Sequence, residues 1–185
     1  MILLEAEPLD LGAEIRAVGI ELVEDDENRE PVRGEEAAKV WSRVLPAIAG
    51  HEPWAIDFFS HLDRVREYCK DHRVGFSDAT QHCVVVPAPE QAKLEALLAR
   101  FETETFGARA GTLVTQGDAS LERDLAHRGA DAYDHAFPNY LFCAICDFEN
   151  GSLVVLSQKL WASEIIRLAR RALNGLEVDL RLATA

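Results

Sequence analysis

The two cysteines of Cys143-Ala-Ile-Cys146 have the spacing of a redox or metal-binding motif. In a redox pair of this spacing both sulfur atoms lie close together at the start of a helix, where one thiolate is stabilised. The apolar run 140–148 predicts a strand here instead. Residues three apart on a strand point to opposite faces, with Cα atoms about 10 Å apart, whereas a disulfide needs less than about 7 Å. We therefore predict two small buried apolar residues and no cofactor.

A second set of candidate ligands contains Cys69, His72, His82 and Cys83. Cys69 and His72 are three apart on a predicted helix and share a face, which would supply half of a zinc site. His82 and Cys83 are neighbours on a predicted strand and face opposite ways, so only one of them could join. Three ligands leave the coordination of zinc incomplete, and we predict no metal site.

Asp57 and His61 are the pair best suited to general acid–base chemistry. A helix is predicted from Pro53 to about residue 72, and four-residue spacing on it would let the carboxylate orient the imidazole. With a nucleophile or a metal ion beside it, the pair would form a small hydrolase site. The simpler interpretation is an exposed helix face with an ordinary ion pair. We assign no catalytic residue and keep a metal-dependent or His/Asp hydrolase as an alternative function.

The elements that would position these residues are clearest near the C-terminal end. Residues 140–148 and 152–157 are apolar at odd and even positions alike, which is typical of strands covered on both faces. The Asn-Gly pair between them supplies a tight turn. An amphipathic helix is predicted over 162–173, and the alternation over Leu176–Leu182 predicts a half-buried strand. That strand could lie at a sheet edge and pair with a second copy of the chain.

Earlier segments alternate between strand and helix patterns. Residues 2–6 and 20–23 are strand candidates, and the segment between them has apolar residues at helical spacing after Asp10, which suggests a βαβ-like start. A helix is predicted from Glu35 to Gly50, and we expect it to end or kink at Pro46.

The interspersed pattern indicates an α/β or α+β fold with a mixed sheet, whose central antiparallel hairpin at about 140–157 is covered by helices. We predict a single domain, residues 1–185. The one plausible domain seam is the polar segment 24–33, which contains a proline and is the best candidate for a mobile loop.

Composition restricts the partners of the protein. The net charge of −13 repels phosphate backbones, which argues against nucleic-acid binding. No run reaches the roughly 18 apolar residues of a membrane helix, and the first residues lack the basic region of a signal peptide. Four cysteines in a chain of 185 residues do not form a disulfide framework. These features predict a soluble, cytoplasmic protein with free thiols.

Acidic residues are most concentrated in the polar segment 24–33. The carboxylates that we assign to partner binding are Glu24, Asp25, Asp26, Glu27 and Glu30. The leading hypothesis is a non-catalytic binding or regulatory protein, such as an immunity-type inhibitor or an adaptor, that engages a basic protein through this surface. A second alternative is a small-molecule-binding domain with a pocket beside the central hairpin.

Overall fold

A computed structural model gives the structure of the chain and describes residues 2–10, 16–50, 54–58, 61–81, 83–104, 112–116, 142–147, 152–157 and 160–182. The strands within these ranges are β1 (Ile2–Asp10), β2 (Arg16–Glu24), β3 (Ala55–Phe58), β4 (Ser77–Thr80), β5 (Cys83–Pro87), β6 (Thr112–Gln116), β7 (Phe142–Asp147), β8 (Ser152–Ser157) and β9 (Val178–Leu182). The helices are α1 (Gly34–Ala49), α2 (Leu62–Asp71), α3 (Gln91–Glu104) and α4 (Ala162–Ala172).

The described strands form one mixed sheet in the order β4-β5-β3-β6-β7-β8-β2-β1-β9. Every neighbouring pair is antiparallel except β1 and β9, which are parallel. The β7–β8 hairpin lies in the middle of this order. The structure therefore confirms the predicted mixed sheet with a central antiparallel hairpin.

Each described helix connects two strands that run in the same direction but are not neighbours. α1 joins β2 to β3, α2 joins β3 to β4, α3 joins β5 to β6, and α4 joins β8 to β9. Crossovers of this kind are almost always right-handed. The strands that α1 and α2 connect run in one direction, and these two crossovers lead toward the β4 edge. The strands that α3 and α4 connect run in the opposite direction, and these two crossovers lead toward the β9 edge. One hand therefore places all four helices on the same face of the sheet.

The buried side chains agree with this one-sided arrangement. Alternate strand residues and the apolar stripes of all four helices form a single core cluster. Its strand members include Leu4, Ala6, Val18, Ile20, Leu22, Ile56, Phe58, Val84, Val86 and Val155. Its helical members include Trp41 and Leu45 of α1, Cys69 of α2, Leu97 of α3 and Ile165 of α4. Leu3, Val23 and Val85, at the intervening strand positions, are also buried but lie outside this cluster.

The first helix confirms the predicted amphipathic stripe. α1 carries its buried residues at the expected spacing and ends at Gly50, whose φ of 67° favours glycine. Pro46 does not end it, because the helix continues to Ala49. None of the helices in the described ranges has the length and apolarity needed to cross a membrane.

The predicted helix between two N-terminal strands is wrong. β1 and β2 form a long antiparallel hairpin, with Val18 paired with Pro8 inside β2. Only residues 11–15 separate the two strands, and they lie outside the described residues. Val18, Ile20 and Leu22 alternate with a period of two, and all three are buried in the core. This burial favours a strand over a helix of period 3.6.

The predicted long helix from Pro53 to about residue 72 is also wrong. Its first part is β3, in which Ile56 pairs with Val86 and Val114, and only α2 is helical. The spacing of four from Phe58 to Leu62 crosses the boundary between a strand and a helix. A spacing of four residues is compatible with both periods, two and 3.6, so it could not locate this boundary.

Candidate functional site

The acidic segment forms a closed loop at the end of β2. The amide of Val32 donates to the carbonyl of Leu22, the amide of Glu24 donates to that of Glu30, each at 2.9 Å, and Val23 forms a single antiparallel bridge with Pro31. Every residue from 24 to 30 is exposed. We call residues 24–30 the acidic loop.

Side chains hold the acidic loop in one conformation. The carboxylate of Asp26 accepts hydrogen bonds at 2.9 Å from the amides of Asn28 and Arg29, and Arg29 has a positive φ of 52°. The guanidinium of Arg29 pairs with Glu5 of β1, and Asp25 lies 3.5 Å from Arg181 of β9. These contacts connect the loop to β1 and β9.

The five carboxylates assigned to partner binding therefore divide into two groups. Asp25 and Asp26 are engaged in the contacts that shape the loop. Within the described part of the chain, no hydrogen bond or ion pair engages the side chains of Glu24, Glu27 and Glu30. These three are available to a partner, whereas charge reversal at Asp25 or Asp26 would disturb the loop itself.

A groove of about 570 Å³ lies between the acidic loop, the first turns of α1 and the start of β9. We call it the acidic groove. Its apolar lining comes from Ile2, Val40, Leu176 and Val178, and its charged lining from Glu24, Asp25, Asp26, Glu36, Glu177 and Lys39. Five carboxylates and one ammonium thus surround an apolar floor. That combination suits a cation carried on an aliphatic stem.

Sequence reasoning missed Glu36 and Glu177 as parts of this site. Glu36 lies in the first turn of the helix predicted from Glu35 to Gly50, and Glu177 lies in the alternating strand predicted over Leu176–Leu182. The parallel pairing of Ile2 with Val178 brings the start of β9 to the start of β1, beside the acidic loop. No local pattern in the sequence announces that pairing.

Further carboxylates lie on the sheet face opposite the helices. Glu5 and Glu21 are directly paired between β1 and β2, and Glu7 and Glu21 are exposed. Like charges directly opposite on neighbouring strands are destabilising. The ion pair of Glu5 with Arg29 offsets part of this repulsion and also fastens the acidic loop.

The structure contradicts the geometry proposed for Asp57 and His61. Asp57 belongs to β3, where it pairs with Val85 and Leu113, and His61 precedes α2 with a left-handed φ of 51°. They do not share a helix face, so the carboxylate is not placed to orient the imidazole by helical spacing. The Nε2 atom of His61 is buried and has no hydrogen-bond partner among the described residues.

Cys69 is poorly suited to bind zinc. Its side chain is fully buried in the core, and burial raises the pKa of the thiol from 9.0 to about 11. A metal ligand must be the thiolate, which this environment disfavours. His72 ends α2, with its Nδ1 atom 3.0 Å from the carbonyl of Tyr68 and its ring stacked on the Tyr68 ring.

The structure does not describe the two remaining candidate ligands in full. His82 lies outside the described residues, as does the side chain of Cys83. Within the described ranges, no group of three or more His, Cys, Asp or Glu side chains is arranged to hold a metal ion.

Cys143 and Cys146 lie in a strand, as the apolar run predicted. Cys143 pairs with Thr115 and Leu156, and Cys146 pairs with Thr112 and Leu153, in the interior of the sheet. Positions three apart on a strand belong to opposite faces. The helix start that a redox pair requires is therefore not present at this motif.

A second cavity, of about 500 Å³, lies between the middle of α1, the starts of β3 and α3, and the end of α4. Arg43, Pro46, Trp54 and Pro89 are among its lining residues. The Nε atom of Arg43 is buried without a hydrogen-bond partner, and no ion pair engages this guanidinium in the described part of the chain. Among the described lining residues of this cavity and of the acidic groove, none belongs to β7 or β8.

Comparison with family models, with curated proteins and with solved structures found no match to this chain.

Proposed function

We propose that this chain is a non-catalytic, cytoplasmic binding or regulatory protein that engages a basic protein partner through the acidic loop and groove. An immunity-type inhibitor or an adaptor acts in this way. The observation that supports this proposal best is the acidic groove, where five carboxylates and one ammonium surround an apolar floor.

The chemistry of the acidic groove favours an arginine or lysine side chain of the partner. The methylene stem of such a residue would pack against Ile2, Val40 and Leu176, and its cation would lie among the carboxylates. Arginine suits the site better than lysine, because a planar guanidinium can pair with two carboxylates at once and is less strongly hydrated.

The charge of the whole chain supports the same class of partner. A net charge of −13 attracts a basic protein from a distance and accelerates its encounter. Glu27 and Glu30, exposed and unpaired at the outer side of the acidic loop, would act in this steering rather than in the groove. Their neutralisation should slow association more than it speeds dissociation.

The proposal is tested by capturing a partner from cell lysate with three immobilised proteins. These are the wild type, a groove variant (Glu24→Gln, Glu36→Gln, Glu177→Gln) and a control variant (Glu67→Gln, Asp71→Asn, Glu90→Gln). The control residues are exposed, lie on or between α2 and α3, and do not line the groove. Both variants lose three negative charges, so they differ only in where the charge is lost.

We expect a partner that the wild type and the control retain, that the groove variant loses, and that salt releases. Equal loss from both triple variants would show that only overall charge matters. A partner retained by all three proteins at about 0.5 M salt would contradict the electrostatic proposal.

A small-molecule-binding function is the second candidate, because of the buried, unpaired Nε atom of Arg43. A guanidinium beside Trp54 and two prolines suits a flat ligand that carries a carboxylate. Benzoate is a suitable probe and benzamide its neutral control. Saturable benzoate binding that Arg43→Met abolishes would support this function, and equal weak responses to both compounds would contradict it.

A further inference from the structure

We propose that β9 pairs with β9 of a second copy of this chain, antiparallel, about a two-fold axis at Leu180. β9 lies at one end of the sheet order, and among the described strands its only neighbour is β1. Its other edge therefore presents unpaired amide and carbonyl groups in the described structure, which is a template for a further strand. This inference does not depend on the proposed basic partner.

The sequence of β9 is complementary to itself in this register. An axis at Leu180 places Asp179 opposite Arg181 of the second copy, and Arg181 opposite its Asp179. The same axis places Val178 opposite residue 182, which is leucine. Opposite charges then meet on one face and apolar residues on the other, as cross-strand pairs in stable sheets do. The side chains of Asp179 and Arg181 are 50% and 51% exposed, so both are accessible to a second copy.

Neighbouring registers are electrostatically worse. A two-fold axis perpendicular to the sheet keeps the helices of both copies on the same side of the sheet. In an antiparallel pair such an axis lies beside one residue, which is then opposite the same residue of the second copy. With the axis at Asp179 or at Arg181, that residue meets its own copy, and two like charges are opposed. With the axis at Val178, Glu177 meets Asp179 twice. Among these four positions, only Leu180 pairs opposite charges without opposing like ones.

The second edge of the sheet shows why the pairing should be specific to β9. β4 spans only Ser77–Thr80, and its register with β5 shifts between Asp78 and Thr80, so the strand is short and irregular. Bulges and short polar strands protect sheet edges from pairing. β9 is regular along its whole length. Two copies joined at β9 would therefore form a closed dimer rather than a fibre.

A contact of one short strand is smaller than the roughly 1,000 Å² of a stable interface. We therefore expect a dimer that forms with a Kd on the order of 100 µM, rather than one that persists on dilution. Sedimentation velocity of the wild type over a series of concentrations should show this association. A wild type that stays monomeric up to about 1 mM would overturn the proposal.

The register is tested by mixing two charge-reversal variants. Asp179→Arg opposes Arg to Arg in a pair of identical copies, and Arg181→Asp opposes Asp to Asp. Each variant alone should dimerise at least about tenfold more weakly than the wild type. Mixed together, they place opposite charges across the axis at both positions, and we expect native mass spectrometry to show the mixed dimer. The double variant, D179R together with R181D, should also recover dimerisation.

Overall repulsion is matched in this design. Each substitution changes the net charge of −13 by two, so the variants carry −11 and −15, and the mixed pair carries the same −26 as two wild-type copies. If single variants dimerise as strongly as the wild type, or if the mixture does not recover dimerisation, the register is wrong. Hydrogen exchange of the wild type gives an independent reading, because the amides of β9 should become more protected at high protein concentration. Unchanged protection across the dimer transition would also overturn the proposal.

Discussion

The two ends of the sheet contain the same constellation, an arginine between two aspartates, but hold it differently. At the β4 end, Arg66 contacts Asp63 and Asp78 at 2.7 Å each, and its side chain is 22% exposed. At the β9 end, Arg181 contacts Asp179 at 3.2 Å and Asp25 at 3.5 Å, and its side chain is 51% exposed. The Arg66 and Arg181 sets therefore have different roles, although they contain the same residue types. The first set joins α2 to β4 through short contacts, and the second set has longer contacts and a more exposed arginine.

The pKa of Arg66 reflects this closed arrangement. Hydrogen bonding to Asp78 has the largest effect on the pKa of Arg66 and raises it above its ordinary value. Burial has a smaller effect in the opposite direction. Arg66 thereby joins the middle of α2 to the edge strand β4, through a contact between residues twelve positions apart in the chain.

The largest effect on stability is expected from a substitution in the hydrophobic core that the helices share with the sheet. Leu97 of α3 is fully buried in the cluster that contacts the helices and the sheet. Leu97→Ala should lower the free energy of unfolding by about 2–5 kcal/mol, because it removes apolar contacts and leaves a cavity. Urea unfolding measures this. A loss below about 0.5 kcal/mol would show that the helices do not pack on the sheet as described.

A smaller loss of stability is expected at alkaline pH, because of the buried thiol of Cys69 in α2. The pKa of the Cys69 thiol is raised to about 11 by burial, so folding favours the neutral thiol. That stabilisation is fully present below pH 9, the value for the unfolded chain, and is lost as pH rises through about 11. The loss is on the order of 2 kcal/mol.

Comparison of the wild type with Cys69→Ala isolates this contribution. Burial also raises the pKa of Tyr68, so both proteins should lose stability at alkaline pH, but the wild type should lose more. Urea midpoints between pH 8 and pH 11.5 provide the measurement. Parallel pH profiles for the two proteins would contradict the burial of Cys69.

The comparison of the two arginines is sharpened by replacing each with methionine, which keeps the apolar stem. Arg66→Met should lower the melting temperature more than Arg181→Met, because the Arg66 side chain is less exposed and its two ion pairs are shorter. Arg181→Met should change the free energy of unfolding by less than about 1 kcal/mol, as exposed ion pairs do. Thermal unfolding followed by circular dichroism decides the order, and the reverse order would contradict the roles given to the two ends.

The smallest stability effects are expected within the acidic loop. Asp26→Ala removes the acceptor of two amide hydrogen bonds and should cost about 1 kcal/mol. Glu27→Ala, at an exposed and unpaired position, should stay within about 0.5 kcal/mol of the wild type. Equal losses would mean that Asp26 does not shape the loop.

Local periodicity predicted the elements that are regular and strongly one-sided. The apolar stripe of α1, the amphipathic α4 and the alternation of β9 were all recognisable, because each buries one face against the same core. The central hairpin was recognisable from two apolar runs and an Asn-Gly turn. The region around His61 was not, since a short strand and a short helix follow each other with compatible spacing.

The candidate site was only half predictable for a different reason. The acidic loop is a local concentration of charge, and the sequence shows it directly. The acidic groove depends on the parallel pairing of β1 with β9, residues that are about 175 positions apart in the chain. Glu177 joins Glu24 through that long-range contact, and composition carries no information about it.

We propose that the acidic groove binds a basic side chain, and titration of isotopically labelled protein with a small probe tests this binding. The probe is the capped tripeptide acetyl-Gly-Arg-Gly-amide, and its control contains the neutral isostere citrulline in place of arginine. We expect saturable amide shifts confined to residues 24–26, 36–40 and 175–178 with the arginine peptide, and none with the control. Shifts spread evenly over all acidic surfaces, or an equal response to both peptides, would contradict a specific site for a basic side chain.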